Sequence, residues 1–222
     1  MNRLRPYTLS FAVAGALLLT ACGGGEPSAP PAPPASDSTG AAAPATQAAP
    51  ADAFLAALAQ HCGQAFAGEI ETDVPAQPDS AFAGQQLVMH VRECADGEIK
   101  VPFHVGEDRS RTWVITRTDT GLRLKHDHRH EDGSEDVLTM YGGDTDAPGT
   151  AQRQEFPVDA DSVALFEREG LVASVVNVWA MEIEPGETFV YELARPGTDR
   201  LFRVRFDLTR EIEAPPAPWG HE

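Results

Sequence analysis

The chain has 222 residues, with 34 acidic side chains against 17 basic ones and a formal net charge of −17. That surplus of carboxylate argues against a nucleic-acid binder and against electrostatic docking on anionic headgroups, since both need clustered Lys and Arg. The basic residues are also unevenly placed: none lies between Pro6 and Val91, whereas Arg109, Arg111, Arg117, Arg123, Lys125 and Arg129 fall within one window.

The chain begins with Arg3 and Arg5, then an apolar run from Leu9 to Leu19, then Leu19-Thr20-Ala21-Cys22. A basic start, an apolar run too short to span a bilayer and small residues before a cut site describe a secretory signal peptide over residues 1–21. Cys22 at that site resembles the lipobox of bacterial lipoproteins. The resemblance implies a diacylglycerol on the thiol, an acylated new amino terminus and a membrane partner reached through Cys22. Each buried methylene contributes roughly 0.8 kcal/mol, so several acyl chains on one residue anchor a soluble domain firmly. Losing residues 1–21 removes two Arg and no acid, which takes the net charge from −17 to −19. Glycines follow Cys22 with no Asp at the next position but one. In a Gram-negative host the lipoprotein sorting pattern then implies the outer membrane, facing the periplasm.

Residues 22–51 form the lipidated end and a tether of Ala, Pro, Ser and Gly with no large apolar residue, unable to bury a core. At up to about 3.3 Å per residue it lets the domain stand well off a membrane. Residues 52–213 are the expected domain, followed by a Pro-rich tail over 214–222. Asp52 is placed to cap a short helix carrying Phe54, Leu55 and Leu58 on one side. With Cys22 lipidated, Cys62 and Cys94 remain as an even pair in an oxidising envelope, which predicts a disulfide.

Beyond the helix the sequence alternates. Leu87–Val91, Glu98–Val105, Thr112–Thr118, Leu122–His130 and Val137–Tyr141 read as strands between turn signals such as Asp96-Gly97, Asp132-Gly133 and Gly142-Gly143. Asp159 to Gly170 breaks the rhythm as a short helix, with acids at its front and Gly at its end. Strands resume at Val175–Glu184, Thr188–Ala194 and Leu201–Thr209. The expected fold is all-β: one antiparallel meander closing into a calycin-like β-barrel, with one N-terminal and one inserted helix. Closure removes sticky edges. A β-sandwich and a cupin-like barrel are the alternatives.

The sharpest chemical signal lies in Leu122-Arg123-Leu124-Lys125-His126-Asp127-His128-Arg129-His130-Glu131. Alternate strand residues share a face, so His126, His128 and His130 line up with two leucines and point inward. Imidazoles at that spacing can converge on one Zn, Cu, Ni or Fe ion, with His90 and His104 from preceding strands completing the shell. The same face also fits a polar cavity for a small ligand with no metal. Glu131 to Asp136 offers oxygens to Ca²⁺, although Asp-Gly between strands is more simply a hairpin turn.

Gly121, His128, His130, Glu135 and Gly142 together resemble the first motif of the cupins, with Gly121 one residue too far upstream and the second motif absent. That resemblance implies a metal-dependent enzyme. The stretches Gly106–Trp113 and Lys125–Gly133 resemble bacterial envelope proteins to which no activity is attached. No P-loop, no GxGxxG and no GxSxG elbow is present. The reading is a lipid-anchored envelope binding module without catalysis, holding a small ligand or a transition metal near His126. A cupin-like enzyme and a protein–protein interaction module are the alternatives.

Overall fold

The structure, a computed structural model, describes residues 49–77 and 80–221. Cys22, the expected signal peptide and most of the expected tether lie outside the described residues. The described chain opens with α1 (Pro50–Ala59). Proline stands at its first position, where an N–H would have no helical partner, and fits there for that reason. Asp52 lies in the first turn rather than at the cap, and takes a hydrogen bond from Arg117 Nε at 2.5 Å. Phe54, Leu55 and Leu58 are buried as their spacing predicts.

Eleven strands follow in one antiparallel sheet: β1 (Ala65–Val74), β2 (Leu87–His90), β3 (Glu93–Ala95), β4 (Glu98–Val105), β5 (Asp108–Arg117), β6 (Leu122–His128), β7 (Tyr141–Asp144), β8 (Arg153–Pro157), β9 (Val178–Glu184), β10 (Thr188–Ala194) and β11 (Leu201–Ile212). A second helix, α2 (Ala160–Arg168), lies between β8 and β9. The strand order is β7-β6-β5-β4-β2-β1-β11-β10-β9-β8, with β3 as a short flap on β4. Apart from β2, which pairs with β4 past the short β3, sheet neighbours along the meander are consecutive in the chain, and β1 pairs with β11 to join its two ends. The result is a nearly closed barrel of one sheet, not a two-sheet sandwich.

The ladder is interrupted between β7 and β8, and there closure rests on glycine and a helix cap. Gly142 O accepts from Asp159 N–H at 2.9 Å, and Gly142 N–H donates to Ser162 Oγ at 2.8 Å. Asp159 caps α2 by accepting from Ser162 N–H at 2.8 Å. A Cβ on Gly143 would sit 1.7 Å from the Pro157 carbonyl oxygen, and one on Gly142 would sit 1.9 Å from that of Leu124. Only glycine lets β7 lie this close to both neighbours. The Gly-Gly pair, which reads as a turn in the sequence, is thus the middle of a strand.

The connections of residues 75–86, 129–140, 158–177 and 195–200 gather at one end of the barrel. The opposite end carries α1, whose Phe54 and Leu58 are fully buried in the core. Inward positions such as Met89, Val101, Phe103, Trp113, Ile115, Leu124, Phe189, Val204 and Phe206 fill the interior. Cys62 and Cys94 form the expected disulfide, with Cα atoms 6.3 Å apart and a sequence separation of 32. A loop of that length contributes about 3–4 kcal/mol in the chain-entropy account. Ala45–Glu222 forms one compact unit with its own core and disulfide, so a chain starting at Ala45 retains every interaction described here.

The seam makes a direct prediction. Gly143→Ala forces backbone apart at β7/β8 and is expected to destabilise the barrel by about 3 kcal/mol or more. Thermal unfolding checks it; a melting temperature within about 2 °C of the parent contradicts the close approach.

Candidate functional site

Strand β6 places its side chains as alternation requires. Leu122, Leu124, His126 and His128 face the interior, with Arg123, Lys125 and Asp127 on the outer side. His126 is 3% exposed. Its Nδ1–H donates to the Tyr141 carbonyl at 3.2 Å, which leaves Nε2 to accept from the Tyr191 hydroxyl at 2.8 Å. The imidazole stacks on Tyr141 with centroids 4.7 Å apart, and Trp179 lies 5.1 Å away. Burial pushes its pKa down to about 3, with His128 adding to the effect. It is a neutral ring with both nitrogens satisfied.

His126 belongs to an aromatic layer. Trp113 stacks on Phe103 at 4.8 Å and on Tyr191 at 4.5 Å. Above this floor, at the end with the long loops, a cavity of about 270 Å³ opens between β6, β7, β9, β10 and the α2 region. A smaller space of about 60 Å³ continues it down toward His126 and Trp113. The walls are ring faces: Phe82, Tyr141, Phe166, Trp179, Tyr191 and Phe202. His128 lines both spaces, with Nε2 accepting from the Tyr141 hydroxyl at 3.3 Å. Its pKa falls to about 4, through burial first and then Arg111. Burial raises Tyr141 to about 12 and Tyr191 well above its ordinary value, so both phenols stay protonated.

Three arginines reach these spaces. Arg111 pairs with Asp108 at 2.6 Å and lies over the Phe82 ring at 5.5 Å. Arg200 pairs with Asp73 at 2.5 Å and lies over the Phe202 ring at 5.6 Å. Arg195 has no carboxylate partner among the described residues. Its Nε donates to Asn177 Oδ1 at 2.8 Å, and one terminal nitrogen lies 3.4 Å from Ser174 Oγ. Burial and then Arg200 hold its pKa below the ordinary value. Leu171, exposed to solvent, and Leu138 add aliphatic surface to the lining.

The other expected histidines do not join His126 and His128. On β2 the core takes Leu87 and Met89, and on β4 it takes Ile99, Val101, Phe103 and Val105, which turns His90 and His104 to the outer face of the barrel. They are buried there all the same. The Pro-rich tail expected over 214–222, described as far as His221, runs across that face: Trp219 N–H donates to the Arg109 carbonyl, Arg109 to Ala217 O, and Arg92 to His221 O. His221 Nε2 meets Asp127 Oδ2 at 2.8 Å. His104, its pKa lowered to about 4 by burial and by His90, leaves its Nε2 without a hydrogen-bond partner among the described residues. His130 follows the end of β6, with its side chain 57% exposed and 3.9 Å from Asp136. The acidic stretch after it is a turn, in which Asp132 Oδ1 accepts from Ser134 N–H and from its hydroxyl.

Among the described residues no group of three or more His, Cys, Asp or Glu side chains is arranged to hold a metal ion. No protein-family model, no curated protein and no solved structure matches the chain. The residues missed from sequence are Arg195, Arg200 and Asn177. The first two flank the Pro196–Asp199 turn, where alternation no longer says which way a side chain points.

His104, His126 and His128 have folded pKa values near 4, 3 and 4, below the ordinary 6.5, so the unfolded chain binds the extra protons. Their contribution to stability is whole above about pH 6.5 and is lost as pH falls toward 4, each adding about 1.4 kcal/mol per pH unit to the slope. The melting temperature is therefore expected to drop steadily from about pH 6.5 to about 5, above the range where the carboxylates protonate. His126→Gln should make that slope shallower by about one proton; a flat profile over the window contradicts the assignment.

Proposed function

We propose that the chain is a lipid-anchored envelope protein whose barrel is a binding module for a small ligand held at its open end. The anchor and the address rest on the Arg3–Cys22 pattern and the tether. The cavity carries the binding reading: an aromatic-walled space of about 270 Å³, close to the size of small-molecule pockets, set in a barrel otherwise filled with side chains. It has the make-up of such a pocket, being mostly apolar with a few placed polar groups in His128, Tyr141, Tyr191 and Asn177.

A metal role for the histidine strand is not retained. Both nitrogens of His126 are already committed to Tyr141 and Tyr191, and a ligand bond would break one of those buried contacts. Nor does the site hold an activated nucleophile beside a base. His128 is held neutral, and its polar contact is the hydroxyl of a phenol that burial keeps protonated. Holding a ligand, rather than transforming it, is what this chemistry supports.

Two experiments test the reading. With the neutral dye N-phenyl-1-naphthylamine, residues 45–222 should bind about one dye per chain with rising emission, and Leu193→Trp, which fills the cavity wall, should weaken binding by about tenfold or more. Absence of saturable binding sinks the module. In cells, the full chain should incorporate labelled palmitate and sediment with membranes, and Cys22→Ser should do neither; a soluble, unlabelled parent chain removes the anchor.

A further inference from the structure

We propose that the cavity selects a monoanion with a flat apolar body, of the class of aromatic carboxylates, and that Arg195 is the residue that holds its charged end. This deepens the binding-module reading and rests on it. Charge is the first argument. The chain carries 34 acidic residues, yet among the described residues no Asp or Glu lines either space of the cavity. Arg111, Arg195, Arg200 and His128 line them instead. In a molecule of net charge −17, this end of the barrel is a place where a negative group finds attraction.

The three guanidinium groups are not equivalent. Arg111 and Arg200 are each neutralised by an aspartate and laid over a phenylalanine ring, which fixes them as parts of the wall. Arg195 is held in place by neutral acceptors alone, Asn177 Oδ1 and Ser174 Oγ. Asn177, itself 4% exposed, is tied by its own backbone: its carbonyl accepts from Val158 N–H, and its N–H donates to Ser174 O. The guanidinium is thus aligned without being neutralised by any described carboxylate. Of its five N–H donors, those not used by Asn177 and Ser174 have no protein acceptor among the described residues. A planar fork with free donors suits a carboxylate bound through two parallel hydrogen bonds.

The ligand's body follows from the walls. Trp179, Tyr191, Tyr141, Phe166, Phe82 and Phe202 present rings, against which a flat apolar group gains stacking beyond its buried area. The exposed Leu171 on the lining adds an apolar contact for such a body. A dianion or a phosphate ester fits less well, because among the described residues the cavity offers one unneutralised guanidinium, not a cluster. A neutral aromatic would leave Arg195 desolvated with no counter-charge.

The test is calorimetric titration of residues 45–222 with 2-naphthoate and with its neutral isostere 2-naphthamide, at low and at raised salt. The carboxylate is expected to bind about tenfold or more tightly than the amide, with the advantage shrinking as salt rises. Arg195→Gln should bring the two affinities together while leaving the amide within about twofold of its parent value. Arg123→Gln, which removes a charge paired with Asp144 on the outer face, should leave the ratio unchanged. If carboxylate and amide bind the parent equally, the anion class is overturned while the binding module stands. If neither they nor the neutral dye binds, both fall. Should Arg195→Gln not fold, the parent ratio and its salt dependence still decide.

Discussion

The close approach of β7 to β8 is the constraint on which the rest of the molecule depends. A ten-strand path that pairs β1 with β11 leaves one gap, and the gap is bridged by Gly142 and Gly143 against Leu124, Pro157 and the capped start of α2. Tyr141 is the residue just before that pair. With β7 drawn in, its ring lies on His126 and its hydroxyl meets His128. With β7 displaced by the width of a methyl group, Tyr141 would leave both the cavity wall and its stack on His126. Closure and site are thus one arrangement, which is why glycine stands where a β-branched residue would be the better strand former.

The inner face of β6 shows how the barrel changes character along its length. Leu122 and Leu124 belong to a dry core toward the α1 end. His126 is polar but fully answered by Tyr141 and Tyr191 at the bottom of the smaller space, and His128 lines the larger cavity. A buried imidazole with both nitrogens engaged fixes ring orientation at little net cost, whereas an unanswered one would cost roughly 1–3 kcal/mol. His126 thus marks the boundary between a filled lower barrel and a cavity above it. The outer face has its own economy: Arg153, Arg203, Glu182 and Glu192 form an ion-pair network across β8 to β11, and residues 213–221 cover His90 and His104.

Much of the fold was legible because alternation and turn chemistry act locally. The bounds of β4 and β10 agree with the sequence reading, and the capped α2 lies where its acidic front and terminal Gly put it. The strands that escaped had local reasons. Strand β1 carries Gly68 pressed against Phe206, where a larger side chain has no room, and so lacks the apolar run expected of a strand. Strand β7 is built around Gly-Gly, a turn signal everywhere except where backbones must nearly touch. For the site, the inward set of His126 and His128 followed from period two. The same rule, applied to Met89 and Phe103 as core residues, places His90 and His104 outside. Arg195 was out of reach, since its role depends on Asn177 and Ser174 from a distant connection.

The central claim is that one aromatic cavity, at the end away from α1, takes an anionic flat ligand against Arg195. The most direct measurement is the ¹H–¹⁵N spectrum of residues 45–222 through a titration with 2-naphthoate. The account predicts the largest shifts at the Trp179 indole N–H and the Arg195 Nε–H, with the Trp219 indole on the outer face unmoved. Shifts confined to Arg92, Arg109 and Trp219, or a silent Trp179, would contradict it.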